Sequence, residues 1–178
     1  MGARMTIHQK FGGNTSSSAI VTACSGAEWL VGVGFRCWVA GYDQGDITCW
    51  ENGWSAYKRA LGPSRAKRAV TELACWVRAI RSNASRKIEY NPMDSKRFCA
   101  DECMAMSLIS ASQHHRCPAM QACAAALTGS TKIDPVIETA NAFADALQEA
   151  DYCLSQETVA AIAASEARVR EGSISAWR

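Results

Sequence analysis

The chain has 178 residues, nine of them cysteine, and a formal net charge of +2. A hydrophobic fraction of 48% with 20% charged residues is the composition of a globular domain and excludes a disordered chain. No apolar run reaches the roughly 18 residues of a membrane span, because the most apolar stretch, Trp29 to Ala40, is interrupted by Gly32, Gly34 and Arg36.

In chain order, residues 1–19 read as a flexible arm ending in Phe11-Gly12-Gly13-Asn14-Thr15 and a serine run. Met1-Gly2 with Thr6 fits the short myristoylation pattern, and no apolar core of a secretory signal follows it. Ser25 with Glu28, and Thr48 with Glu51, have the spacing of capping boxes, which predicts helices near 26–41 and 47–61. The first could equally be a buried strand over residues 29–40. In the second, Ile47, Trp50, Trp54, Tyr57 and Leu61 fall on one stripe, read as core.

After Gly62-Pro63, a third helix from Ser64 carries Val70, Leu73, Val77 and Ile80 on one face. Residues 86–92 read as a connection with a short extended piece at 87–90. Asp94 or Ser95 is expected to cap a fourth helix reaching Ser112, and Pro118 to open a fifth that Gly129 ends. Asp134-Pro135 starts a sixth running almost to Leu154, and Ser155 caps a seventh with Val159, Ile162 and Val169. The expected fold is therefore all-α, a compact array of about six to seven helices in one domain over residues 20–172, with a tail at 173–178 that holds Trp177.

An odd number of cysteines cannot pair completely, and a chain this long does not need disulfide staples. A reducing, cytoplasmic setting with thiols packed as small hydrophobes is the expectation. Cys99, Cys103, His114, His115, Cys117 and Cys123 are the candidate ligands for zinc, copper or an iron–sulfur cluster, since thiolate and imidazole are what those centres use. They cannot all share one metal. If residues 96–112 form one helix, its rise of about 1.5 Å per residue sets Cys103 and Cys117 on the order of 20 Å apart. Cys99 and Cys103, at i and i+4, share a face and need partners from another element. This pair resembles the paired thiols of the copper storage proteins, whose four-helix cores hold copper(I). That family repeats the spacing many times and this chain has it once, so its function is not carried over. Cys117-Pro118 resembles the short Cys-Pro haem-responsive motif, but Pro118 is already explained by the helix start, which makes haem the weaker cofactor reading. His114 and His115 also suit a helix C-terminus.

Residues 58–97 contain eleven Lys or Arg against three acids, and residues 133–167 contain seven acids and no base. Lys58, Arg59, Arg65, Lys67 and Arg68 are the candidate contacts for nucleic acid or an acidic partner. The alternative is that the basic and acidic halves neutralise each other within the fold or between copies. No nucleophile elbow, phosphate loop, H-E-x-x-H or complete G-x-G-x-x-G is present. The leading expectation is a non-enzymatic interaction or regulatory protein that binds a protein partner or itself. A thiol-based metal or redox protein and a nucleic-acid-binding regulator are the alternatives.

Overall fold

A computed structural model describes residues 26–161 and 163–164. Among these, six helices follow in order: α1 (Ala27–Gln44), α2 (Ile47–Leu61), α3 (Pro63–Asn83), α4 (Ala100–Gln113), α5 (Cys117–Thr128) and α6 (Asp134–Gln148). A seventh helical segment covers 156–161. The fold is a compact all-α array, and none of the described helices is long and apolar enough to cross a membrane. The arm and tail expected at 1–19 and 173–178 lie outside the described residues, as do Ser25, Ile162, Val169 and Trp177.

The stretch that could have been a strand is α1, and it is the inner helix. From Ala27 to Gly41 every residue is buried except Trp29 and Val33, which are half-buried. Glycines set how closely its neighbours approach. A Cβ on Gly34 would stand 2.6 Å from the Tyr57 hydroxyl, one on Gly53 would meet the Trp38 ring at 2.5 Å, and one on Gly41 would collide with Trp50. Partner numbers fall on α2 as they rise on α1, so the two helices form an antiparallel hairpin. The buried face of α2 is accordingly Cys49, Gly53, Tyr57 and Leu61, spaced one helical turn apart.

The third and sixth helices are also antiparallel. Trp76 of α3 stacks on Phe143 of α6 with ring centroids 5.6 Å apart, while Arg68 and Arg65 nearer the start of α3 meet Glu149 and Asp151 just beyond the end of α6. Phe35 and Tyr57 bring α1 and α2 onto the same aromatic centre.

Arg36 is 1% exposed in the middle of α1, and its partner Glu102 in the first turn of α4 is 0% exposed. The guanidinium uses all five of its N–H groups. Nε donates to Glu102 Oε1 at 2.6 Å and Nη2 to Glu102 Oε2 at 3.3 Å. The remaining hydrogens go to the carbonyls of Pro92 (3.3 Å), Ser95 (2.7 Å) and Arg97 (2.6 Å). Glu102 in turn accepts the Asn91 and Cys99 amides, and Phe98 lies against the guanidinium with its ring centroid 5.3 Å away. The non-helical segment between α3 and α4 is thus folded around one ion pair. A second pair anchors its beginning, where Asp101 takes two bonds from Arg86 and one from the Glu89 amide.

These demands correct several expected boundaries. Helix α4 starts at Ala100 rather than after Asp94 or Ser95, because the Ser95 and Arg97 carbonyls serve Arg36. Residues 87–90 form no strand. Asp46, not Thr48, caps α2 by accepting the Thr48 amide at 2.9 Å. Glu28 accepts the Ser155 amide from across the fold. Helix α6 stops at Gln148 instead of continuing towards Leu154, since the Gln113 side chain takes the backbone of Tyr152 and Leu154 and Asp151 turns left-handed at φ 65°.

Removing one partner of a fully buried ion pair leaves the other charge unmatched. Glu102→Gln and Arg36→Met are each expected to lower unfolding free energy by about 3–5 kcal/mol, read from urea denaturation. Gly34→Ala is expected to cost about 1–3 kcal/mol by overpacking, because fully buried Tyr57 has no space into which to withdraw. An unchanged urea midpoint for Gly34→Ala would contradict the close α1–α2 approach.

Candidate functional site

The six candidate ligands are not gathered into one place. Among the described residues no group of three or more His, Cys, Asp or Glu side chains is arranged to hold a metal ion. Cys99 is the N-cap residue of α4, with Glu102 at N3 bonding back to its amide, and its Sγ–H donates to the Glu89 carbonyl at 3.4 Å. Burial, and then the Glu102 carboxylate, push its ionisation up to about 12. Cys103 is buried one turn further along α4. Cys117 is exposed in the first turn of α5, and Cys123 is half-buried on the same helix, its thiol pushed up by burial. His114 faces the Leu154 carbonyl through Nε2 at 3.0 Å, which requires that nitrogen to carry the proton. His115 is exposed in a left-handed turn at φ 53°.

The other described thiols offer no completing half-site for Cys99 and Cys103. Cys37 and Cys49 both face the α1–α2 interface, but Gly53 pairs with Cys37 and Trp38 while Trp50 pairs with Gly41. In that antiparallel register the two cysteines are offset by about five residues, roughly 7–8 Å along the axis. Burial, and then Cys49, raise the Cys37 thiol to about 11. Thiols raised in this way are poor nucleophiles at neutral pH. No disulfide joins the eight described cysteines; Cys24 lies outside the described residues.

The five basic candidates are divided. Arg65 pairs with Asp151 at 3.4 Å and Arg68 with Glu149, so both complement the acidic end of α6. Lys58, Arg59 and Lys67 are exposed. The arginines that continue the basic run are also engaged, Arg81 with Asp43 and Arg86 with Asp101. These two line an open cleft of about 470 Å³ with Asp43, Lys87, Ile88 and Tyr90, and each already has a carboxylate partner. Two of the five candidates thus pair with acids of the same fold, and Lys58, Arg59 and Lys67 have no ion pair among the described residues.

The stripe expected on α2 is core only in part. Trp50 and Trp54 pack half-buried against the core, whereas Ile47 on the same stripe is 63% exposed. Small residues at 49 and 53 centre the interface with α1 and Trp50 reaches it at Gly41, so the bulky stripe flanks that interface with Ile47 outermost. Tyr42, at the end of α1, joins this edge at 37% exposure. Its ring meets Trp50 edge-on at 5.4 Å and lies under the Arg81 guanidinium at 5.3 Å. The glycine and cysteine at i and i+4 were the signal that α2 presents two different apolar sides.

Comparison of the chain with protein-family models, with curated proteins and with solved structures finds no match in any of the three.

The raised thiols imply a pH dependence of definite sign. The folded protein holds the Cys37 and Cys99 protons more tightly than the unfolded chain does, so above the ordinary thiol value of 9.0 the unfolded state is favoured by proton release. Stability contributed by these thiols is complete below pH 9 and is expected to fall as pH rises towards 11 and 12. Cys99→Ser keeps a capping side chain and is expected to flatten part of that decline in thermal melts. An identical alkaline profile in the variant would show that Cys99 does not contribute.

Proposed function

We propose that this chain is a non-enzymatic helical interaction protein that engages a protein partner, or itself, through the edge formed by Tyr42, Ile47, Trp50 and Trp54. The observation that carries the reading is this apolar edge, with Ile47 63% exposed beside half-buried aromatic rings. Aromatic side chains with partial exposure are the anchors around which protein interfaces form, because they bury large area with few rotors to freeze. A contiguous apolar edge on a helical surface marks such a contact more often than a solitary exposed residue does. The thiol-metal reading has less support, because its candidate residues are dispersed among the described residues. Nucleic-acid binding has less support because Arg65 and Arg68 are occupied by acids of the same chain.

A photo-crosslinking side chain placed at position 47 in the protein's native cells tests the reading. The expected outcome is a covalent adduct with a polypeptide, and none when the same side chain replaces exposed Glu138 on α6. Ile47→Asp should abolish the contact of a position-51 crosslinker while changing stability by no more than about 0.5 kcal/mol, as for other exposed positions. Equal adduct yields at 47 and 138 would overturn the assignment of this edge.

A further inference from the structure

We infer that the partner of this edge is a second copy of the chain, docked through an antiparallel pairing of α2 with its counterpart; the inference rests on the interaction reading and names its occupant. Helix α2 packs against α1 and α3 on one side, which leaves its other side to solvent. On the flank between the buried and fully exposed faces stand Ile47, Glu51, Trp54 and Lys58, at i, i+4, i+7 and i+11. This four-three-four spacing keeps the side chains on one stripe over three turns and is the spacing with which helices interlock. Ile47, Glu51 and Lys58 are exposed and Trp54 is half-buried. Glu51 and Lys58 have no ion-pair partner among the described residues, in contrast to Arg65, Arg68, Arg81 and Arg86 on the neighbouring surface.

The order of chemistry along the stripe selects the occupant. Glu51 lies three residues before Trp54 and Lys58 four residues after it. An antiparallel copy centred on Trp54 therefore sets each Glu51 against Lys58 of the other copy, at both ends of the contact, while the two Trp54 rings meet near the two-fold axis. A parallel copy would set acid against acid and base against base. A two-fold interface must be self-complementary, with each residue finding its counterpart's complement, and an acid–aromatic–base stripe satisfies that requirement without help from any other element. Ile47 and Tyr42 extend the apolar area at either end, and the charged pairs fix register and direction rather than supplying most of the affinity.

Light scattering on size-separated pure protein tests the inference directly. The expected mass is twice the chain's 19.2 kDa, falling towards 19.2 kDa on dilution. Glu51→Lys and Lys58→Glu should each weaken self-association by about tenfold or more, since each places like charges together at both ends. Mixing the two variants should restore the double mass, because the lysine introduced at 51 then faces the glutamate introduced at 58 and the two native residues face each other. Circular dichroism confirms that these surface variants fold. A pure chain that stays at 19.2 kDa at every concentration, or a dimer indifferent to both reversals and to their mixing, overturns the inference. A monomeric pure chain that still crosslinks from position 47 to a different protein in cells rejects the second copy while leaving the interaction reading intact. A monomeric chain with no adduct of any kind rejects both.

Discussion

A guanidinium inside the most apolar helix of a protein is sustainable only when each of its N–H groups has an acceptor, and meeting that condition for Arg36 shapes everything between α3 and α4. A carboxylate alone could accept two of the five hydrogens. The other three require backbone carbonyls, and helical carbonyls are already committed. The chain answers by leaving residues 84–99 non-helical, so that Pro92, Ser95 and Arg97 can turn their carbonyls inward. The long connection is therefore a ligand shell for a buried cation, built from backbone. Its irregularity is a condition of the fold and reflects no shortage of helix-forming sequence.

Around this centre the remaining helices are held by two devices of different character. Glycine spacing brings α1 and α2 together at a distance that only a missing side chain permits. Charge complementarity brings the basic start of α3 to the acidic end of α6, with Trp76 and Phe143 stacked between them. Exposed pairs such as Arg65 with Asp151 contribute about 0–1 kcal/mol each, so their role there is alignment, and the aromatic stack carries more of the energy.

Where local rules dominate, the sequence was readable. Pro63, Pro118 and Pro135 in first turns and Gly129 at a C-cap gave helix boundaries within a residue or two, and the apolar period identified the all-α class. The misreadings share one cause, a distant group outcompeting the local signal. Ser95 is a good cap by composition, yet its carbonyl is required 59 residues away by Arg36. Glu28 has the position of a capping-box residue, yet it binds the Ser155 amide 127 residues away. Ile47 shares the stripe on which Trp50 and Trp54 pack against the core, yet it is exposed, because Cys49 and Gly53 centre the interface with α1. For the thiols, helix rise alone already separated Cys103 from Cys117, and the structure adds that no group of ligands completes a site among the described residues. The distant partners of Ser95 and Glu28 are what no window of ten or twenty residues encodes.

The separation between Arg36 and its partners also bears on how the chain is made. During synthesis Arg36 emerges before any of its acceptors, 56 residues ahead of Pro92 and 66 ahead of Glu102. Until then its charge must be hydrated, which holds the middle of α1 open to water even if α1, α2 and α3 have each become helical. The glycine contacts of the first hairpin can form early, but the far side of α1 cannot close. The nascent N-terminal half thus stays wet on one face until Glu102 has emerged, and only then can water leave the arginine.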